Sequence, residues 1–468
     1  MTRLFKGQGA SLVLVPQRHV VQILGCQGSV YGQVRLEGGE RGCPAMAGVK
    51  RSALADPRID ALALAPALAR QTRTMSKRRS ASGASWRVRA VCATAGLLIL
   101  SLPTVSWGQA RPLSPPTAVS RHTFTRIISV REISNDRLLI ADRVERRLVV
   151  LDWRTDAFAE LGRVGDGPGE YRMLGWLYPL GRDSSILTDA ASRRWYLLRG
   201  STFIHTFSAQ QPVVSLLGPG LEGGDRFGHV MGVIPIQKVS SRPPDRSMAD
   251  SLVLVMGNVL AQTADTIARL RGPSGRPAVS RGSGGRMGAV TVGSPLTSED
   301  RAMLFPDGSV AVAYVSPYRV DWRSPDGLWH RGLPLPHRPV RVNDEEICAI
   351  ARRMLEERSA AVGPCQLEAL RNYPWPEYIP PFLVLANAGM SASASPTLFA
   401  APDGKLVIRR TPTVSEADSR YNIVDRNGRL FRTLLLPANE AIIGFGNESV
   451  YVVTIDEFGL QRLRRHAW

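Results

Sequence analysis

The stretch Arg137 to Asp152, RLLIADRVERRLVVLD, returns in outline as Ser184 to Arg199, SSILTDAASRRWYLLR. Superposed, Asp142 falls on Asp189 and Arg146-Arg147 on Arg193-Arg194, with apolar runs on both sides. Alternating runs this short, punctuated by a polar turn, make a small β unit that cannot bury both of its faces alone. Copies must therefore pack against one another, as a radial or stacked array.

The rest of the chain supports that grammar. Arg126 to Val130, Arg137 to Ala141, Leu148 to Leu151 and Ala157 to Leu161 read as four short strands of one antiparallel meander. A second unit runs from Leu174 to Phe207. A third passes through Gly232–Gln237, Ser251–Met256 and Thr266–Leu270, with Gln237–Asp250 and Arg271–Gly288 as polar or Gly-rich loops. The fourth opens on Phe305-Pro306-Asp307-Gly308 and the fifth on Ala401-Pro402-Asp403-Gly404. The sixth runs from Ile442 to Arg464. The expectation is an all-β chain, a six-bladed β-propeller of four-stranded antiparallel blades over residues 124–468. One segment breaks the pattern: Asn343–Glu357 has an N-cap residue, acidic residues in its first turn and an apolar face, which predicts an inserted helix.

Composition matters first through charge. The formal net charge is +19, but residues 1–110 carry 15 Lys and Arg against 4 Asp and Glu, leaving 44 against 36 for the remainder. No basic run remains there, and a phosphate footprint needs clustered cations, so nucleic-acid binding is set aside. Part of the N-terminal excess belongs to a segment from Met75: MSKRRSASGASWRVRA, then VCATAGLLILSLP, then Gly108 and Ala110 before Arg111. A basic region, a short apolar run and small residues at the −3 and −1 positions describe a signal peptide over 75–110. The expectations are export to the periplasm or beyond, translation starting at Met75, and 1–74 as upstream or disordered sequence. No stable membrane span is expected after cleavage. Residues 111–123, rich in proline, read as a linker.

Export leaves two cysteines in the mature chain, Cys348 and Cys365. A lone pair in an oxidising compartment reads as a disulfide. Two free thiols and a metal site are the competing readings, the latter weakened because no His or further Cys lies at zinc spacing.

The stretches Leu139-Ile140-Ala141-Asp142, Val149-Val150-Leu151-Asp152, Gly162 to Tyr171, Tyr421 to Gly428, Leu434 to Pro437 and Asp456 to Gly459 together resemble bacterial exported six-bladed propellers of the TolB-like and NHL-repeat kind. The resemblance covers residues 124–468 and implies a fold more than an activity, since many members of that group have none assigned.

Two features stand out as candidate sites. The loop Gly165-Asp166-Gly167-Pro168-Gly169-Glu170-Tyr171 bends tightly enough to aim main-chain N–H groups at an anion, with Asp166 and Glu170 as calcium ligands. The competing reading is a rigid connector in which Glu170 bonds nearby backbone. Asp142 and Asp189, repeated in each unit, suit either a ring of converging carboxylates or turns fixed through Asx-type bonds. Repetition favours the turn, because every unit needs one. No H-E-x-x-H, H-x-H or G-x-S-x-G spacing occurs in the mature chain. The expected function is a monomeric binding module for a protein, peptide or glycan, without a cofactor. The alternative is a lactonase-like hydrolase or lyase whose divalent cation is held by residues such as Glu132, Asp189, Asn258 and Asp403.

Overall fold

The computed structural model describes residues 11–13, 22–24 and 111–468, apart from 135, 182, 236–250, 273–274, 282–286, 294–295, 297–298, 358–362, 383–395 and 417. The segments expected to form the signal peptide, 75–110, and most of the upstream stretch 1–74 lie outside them. Within that stretch Ser11–Val13 pairs antiparallel with Gln22–Leu24.

From residue 127 the chain is a succession of antiparallel meanders. The first sheet takes Ile127–Ser134, Arg137–Asp142, Arg147–Asp152 and Ala157–Glu160 in sequence order, and the second takes Leu174–Leu180, Ser184–Asp189, Arg194–Arg199 and Thr202–Phe207. An eight-stranded sheet follows, with Leu221–Gly224, His229–Pro235, Ser251–Asn258 and Thr263–Arg271 in one half and Arg301–Leu304, Val310–Tyr314, Arg319–Arg323 and Trp329–His330 in the other. The halves meet at a single parallel pairing, Gly223 with Leu304. Gly223 has φ +126°, and a Cβ there would lie 2.5 Å from the Leu304 carbonyl oxygen, so only glycine permits the approach. The five-stranded sheet contains Leu398–Ala400, Leu406–Arg409, Ser419–Val424 and Leu430–Leu436, edged by Arg111–Pro112. The closing sheet contains Glu440–Phe445, Ser449–Ile455 and Gln461–Ala467, and its fourth strand is Pro116–Phe124 from the other end of the chain.

That last pairing corrects the linker expected over 111–123. Pro116 stands at the first position of an edge strand, where a missing N–H removes no ladder bond, and Ser120 and Phe124 turn inward at alternating positions. Two further differences concern strands. The third unit, read from Gly232, begins earlier: Leu221–Gly224 is the first strand of its meander. The expected Gly-rich loop after Arg271 contains a hairpin, Gly275–Arg281 with Met287–Gly293.

The apolar cores lie between sheets rather than within them. Ile128, Leu139 and Val150 of the first sheet share a core with Leu177, Leu187 and Tyr196 of the second. Leu138, Ile140 and Leu151, on the opposite face, pack with Ile443, Tyr451 and Leu463 of the closing sheet. The same sharing links the second sheet to the eight-stranded one, the latter to the five-stranded one, and that to the closing sheet. First strands follow the same circuit: each touches the next, and Glu440–Phe445 returns to Ile127–Ser134. A fully buried Leu or Ile side chain contributes roughly 1.5–3 kcal/mol, and here each contribution needs two neighbouring sheets.

Among the described residues three helices decorate this array: α1, Pro212–Leu217; α2, Asp344–Glu357; and α3, Leu367–Arg371. Helix α2 bears out the expected insertion, since Asn343 Oδ1 accepts the Glu346 N–H at 2.9 Å as an N-cap and Ile347 and Ile350 are buried. Cys348 on α2 is bonded to Cys365 with Cα atoms 5.6 Å apart. The Pro/aromatic stretch 373–381 is a connector, its Tyr378 bridged to Arg341 and Ile379 donating to the Val340 carbonyl. Among the described residues no helix is long and apolar enough to cross a membrane.

Candidate functional site

The repeated aspartates are the anchors of one recurring turn. Asp142 is fully buried and accepts the backbone N–H groups of Thr125, Arg126 and Glu145 at 3.0, 3.2 and 3.3 Å. Asp189, equally buried, accepts those of Arg172, Met173, Ala191 and Ser192 at 2.8, 3.1, 3.0 and 3.2 Å. In both copies the carboxylate ties the hairpin loop it begins to the segment that enters the sheet. Arg146 and Arg193 end those loops in the left-handed region, with φ +53° and +54°. The carboxylates are therefore spent on backbone, as the turn reading expects.

The Gly165–Tyr171 loop is cross-braced in the same spirit. Arg163–Val164 pairs in parallel with Glu170–Tyr171. The Gly165 N–H donates to the Tyr171 carbonyl, and the Glu170 N–H to that of Gly167. Glu170 itself accepts the Gly167 N–H at 2.7 Å and Arg163 Nε at 2.6 Å, bonds that hold its carboxyl below the usual range, the backbone bond most strongly. The bend does cradle an anion, but the anion is its own Glu170. A Cβ on Gly165 would lie 2.1 Å from Glu170 Oε2, which explains the glycine there. Asp166 is gripped by both Nε and Nη2 of Arg172, which lowers its pKa and raises that of the arginine. Tyr171 is buried, its hydroxyl accepting the Leu148 N–H and donating to the Leu161 carbonyl, and Tyr196 donates to the Glu170 carbonyl at 2.6 Å. Gly169, with φ +72°, gives the bend its left-handed step.

These three loops meet around an open cleft of about 530 Å³ lined by Arg143, Val144, Arg146, Val164, Gly165, Arg172, Met173 and Ala191. Of the candidate site residues read from the sequence only Gly165 lines it, joined by Arg146, which the repeat had picked out without a site role. Asp142, Asp189 and Glu170 shape the cleft from behind through their bonds to the loop backbones, and Asp166 pairs at the surface with the lining Arg172. The arginines were missed because they come from two loops separated in sequence, with a third loop adding only Ala191. The signal available was the Arg at the end of each repeated turn, overshadowed by the Asp at its beginning. Burial and the nearby Arg126 lower the pKa of Arg143, whose Nη2 lies 3.3 Å from Met173 Sδ.

The four residues of the alternative metal set do not converge. Glu132 accepts the Asn447 N–H and the Tyr451 hydroxyl, Asn258 caps its own hairpin loop through Leu260 and Ala261, and Asp403 pairs with Lys405. Among the described residues no group of three or more His, Cys, Asp or Glu side chains is placed to hold a metal ion.

No family model matches the sequence, and no curated protein matches it either. Solved structures are similar at low identity. An exported protein of Bacteroides fragilis aligns over 77% of this chain and 98% of its own at 11% identity, TM-score 0.37. A DUF4221 member from Bacteroides vulgatus aligns over 75% and 94% at 9% identity, TM-score 0.37. The calcium-binding protein regucalcin of Agrobacterium tumefaciens aligns over 77% and 97% at 8% identity, TM-score 0.30. Likeness at this level carries nothing about activity.

Proposed function

We propose that the mature chain is an exported six-bladed β-propeller that acts as a binding module, taking a protein, peptide or glycan ligand without a resident metal. The closed circuit of first strands and shared cores supports the blade count, with the two halves of the eight-stranded sheet as separate blades. The site is the cleft beside the Gly165–Tyr171 loop. One observation carries the choice of binding over catalysis: every carboxylate of the three loops is engaged by backbone, by arginine or by a hydroxyl, so the acids act as scaffolding while the arginines and apolar side chains face the cleft.

Metal analysis of the purified mature protein, coupled to a lactone-hydrolysis assay, tests this reading. The expected result is no stoichiometric metal and no turnover. A tightly held divalent cation at one equivalent, or hydrolysis abolished by a chelator, would overturn it.

A further inference from the structure

We propose that acid tightens the joint between the two halves of the eight-stranded sheet: two glutamates there share one arginine, and the set becomes neutral only when one of them takes a proton from solvent. The device lies apart from the cleft and works whatever ligand the protein takes. The joint is narrow. Its one backbone pairing joins Gly223 to Leu304, with Glu222 immediately before the first and Arg301 three residues before the second. Arg301 Nη1 lies 2.7 Å from Glu222 Oε1 and its Nη2 2.5 Å from Glu299 Oε1, so a single guanidinium bridges the halves.

The count of charges is the first reason. Two carboxylates against one guanidinium leave one negative charge over, and among the described residues no other cation pairs with either glutamate. The remaining titratable groups around the joint supply none. Asp300, beside Glu299, spends its carboxylate on the Arg271 and Val315 N–H groups at 3.0 and 3.1 Å. Tyr178 of the second sheet faces Glu222 and donates its hydroxyl to the Leu221 carbonyl at 2.5 Å, and burial, then the charge of Glu222, raises its pKa. Asp225 and His229, on the same meander as Glu222, pair with each other at 2.8 Å.

Burial is the second reason. Glu299 is 5% exposed, and the Glu222 side chain keeps 20% of its surface in water, enough for a proton to arrive. An excess charge is costly where water is scarce. Burial outweighs the attraction of Arg301 and raises the pKa of both carboxyls, with Glu299 adding to the rise at Glu222 and Asp300 to that at Glu299. The proton belongs to the pair rather than to either residue. A carboxyl whose pKa rises on folding contributes its stability fully below the unfolded value of about 4.3 and loses it as pH climbs through the folded value. Mild acid therefore strengthens this joint, the reverse of the usual behaviour of paired carboxylates.

The test compares urea midpoints of the mature chain and its variants across pH. Glu299→Gln leaves Arg301 an acceptor while removing the excess charge. At about pH 8 it should unfold at a higher midpoint than the parent, and the gap should close as pH falls to about 5, a comparison in which groups elsewhere in the chain cancel. Glu222→Gln/Glu299→Gln strands the arginine without a carboxylate and should lie below Glu299→Gln throughout. Hydrogen exchange, corrected for the pH dependence of the intrinsic rates, should slow at 221–224 and 301–304 between about pH 7.5 and 5.5 in the parent and not in Glu299→Gln. A Glu299→Gln midpoint at or below the parent's at about pH 8, or a gap that does not change with pH, overturns the proposal. If Glu299→Gln does not fold, Glu222→Gln carries the same expectation from a more exposed position, and failure of both to fold overturns it as well.

Discussion

A single side chain, Asp189, shows how function and folding divide the polar residues of this chain. Its fully buried carboxylate accepts four backbone N–H groups, so replacing it leaves four part-buried donors without their acceptor. Asp189→Ala should cost about 2–4 kcal/mol, read as a lower urea midpoint with unchanged slope. An unaltered midpoint would contradict the anchoring role. The same residue explains what was legible in advance: a buried turn aspartate recurs because the turn recurs. Arg146 recurs too, but its meaning comes from which other loops stand beside it, and spacing along the chain does not encode that. A second side chain is sensitive to acid. His337 Nδ1 lies 2.6 Å from Arg410 Nη2, and burial followed by the charge of Arg410 pushes its pKa from 6.5 down to about 4. The folded state therefore holds the imidazole neutral while the unfolded chain protonates it first. Its contribution is full above pH 6.5 and is lost as pH falls toward about 4. Urea midpoints measured across that window should decline less steeply in His337→Gln than in the parent. Parallel declines would rule out His337 as a source of acid sensitivity.

At the level of elements, the chain builds its hairpins with two different turns. The early sheets use five-residue turns that begin with Asp or Asn and end in the left-handed region: Asp142 to Arg146, Asp152 to Asp156, Asp189 to Arg193 and Asn258 to Gln262. Elsewhere glycine supplies the left-handed position, at Gly181, Gly200 and Gly228 and, from residue 305 onward, at Gly308, Gly327, Gly404, Gly428 and Gly459. Both turns are readable because their residue types follow from backbone geometry. Short strands made of unusual residues are not, and Leu221–Gly224 was hidden for that reason: Gly223 serves close approach to Leu304 and Gly224 close approach to the Pro179 carbonyl, which local propensity does not register. Helix α2 was readable from its cap and apolar face, but its anchorage was not. Glu346 on α2 is buried and accepts the Val414 N–H at 3.0 Å, and Arg353 donates to the Thr413 carbonyl, so the helix is tied to the five-stranded sheet as well as to Cys365. Closing a loop of sequence separation 17 stabilises by about 3 kcal/mol in the chain-entropy account. Cys365→Ser should lose about that amount. In the unfolded mature protein, thiols should titrate only after reduction, and equal titration with and without reductant would exclude the bond.

For the whole β array the decisive fact is that its first and last strands meet. Arg111–Pro112 pairs with Leu434–Leu435, and Pro116–Phe124 completes the closing sheet against Gln461–Ala467. Phe124 is buried in the core shared by the closing and first sheets, and Gln461 Oε1 accepts the Ile127 N–H at 2.7 Å across the same seam. A chain beginning at Thr125 would leave the Gln461–Ala467 ladder unpaired on one side and uncover that core. With net hydrogen bonds near 1 kcal/mol each and a buried Phe at 2–3, the loss is roughly 5–8 kcal/mol, comparable to the whole stability of many domains. The expected cut after Ala110 would put Arg111, the first described residue of the strand that pairs with Leu434, at the new N-terminus. N-terminal sequencing of exported protein should therefore read Arg-Pro-Leu-Ser. Recombinant chains starting at Arg111 should melt in one cooperative transition, while chains starting at Thr125 should melt far lower or without cooperativity. Equal melting of the two would mean that the other sheets hold the circuit closed without the N-terminal strand. The shared cores argue against that, because each sheet buries its faces only while both neighbours stay in place.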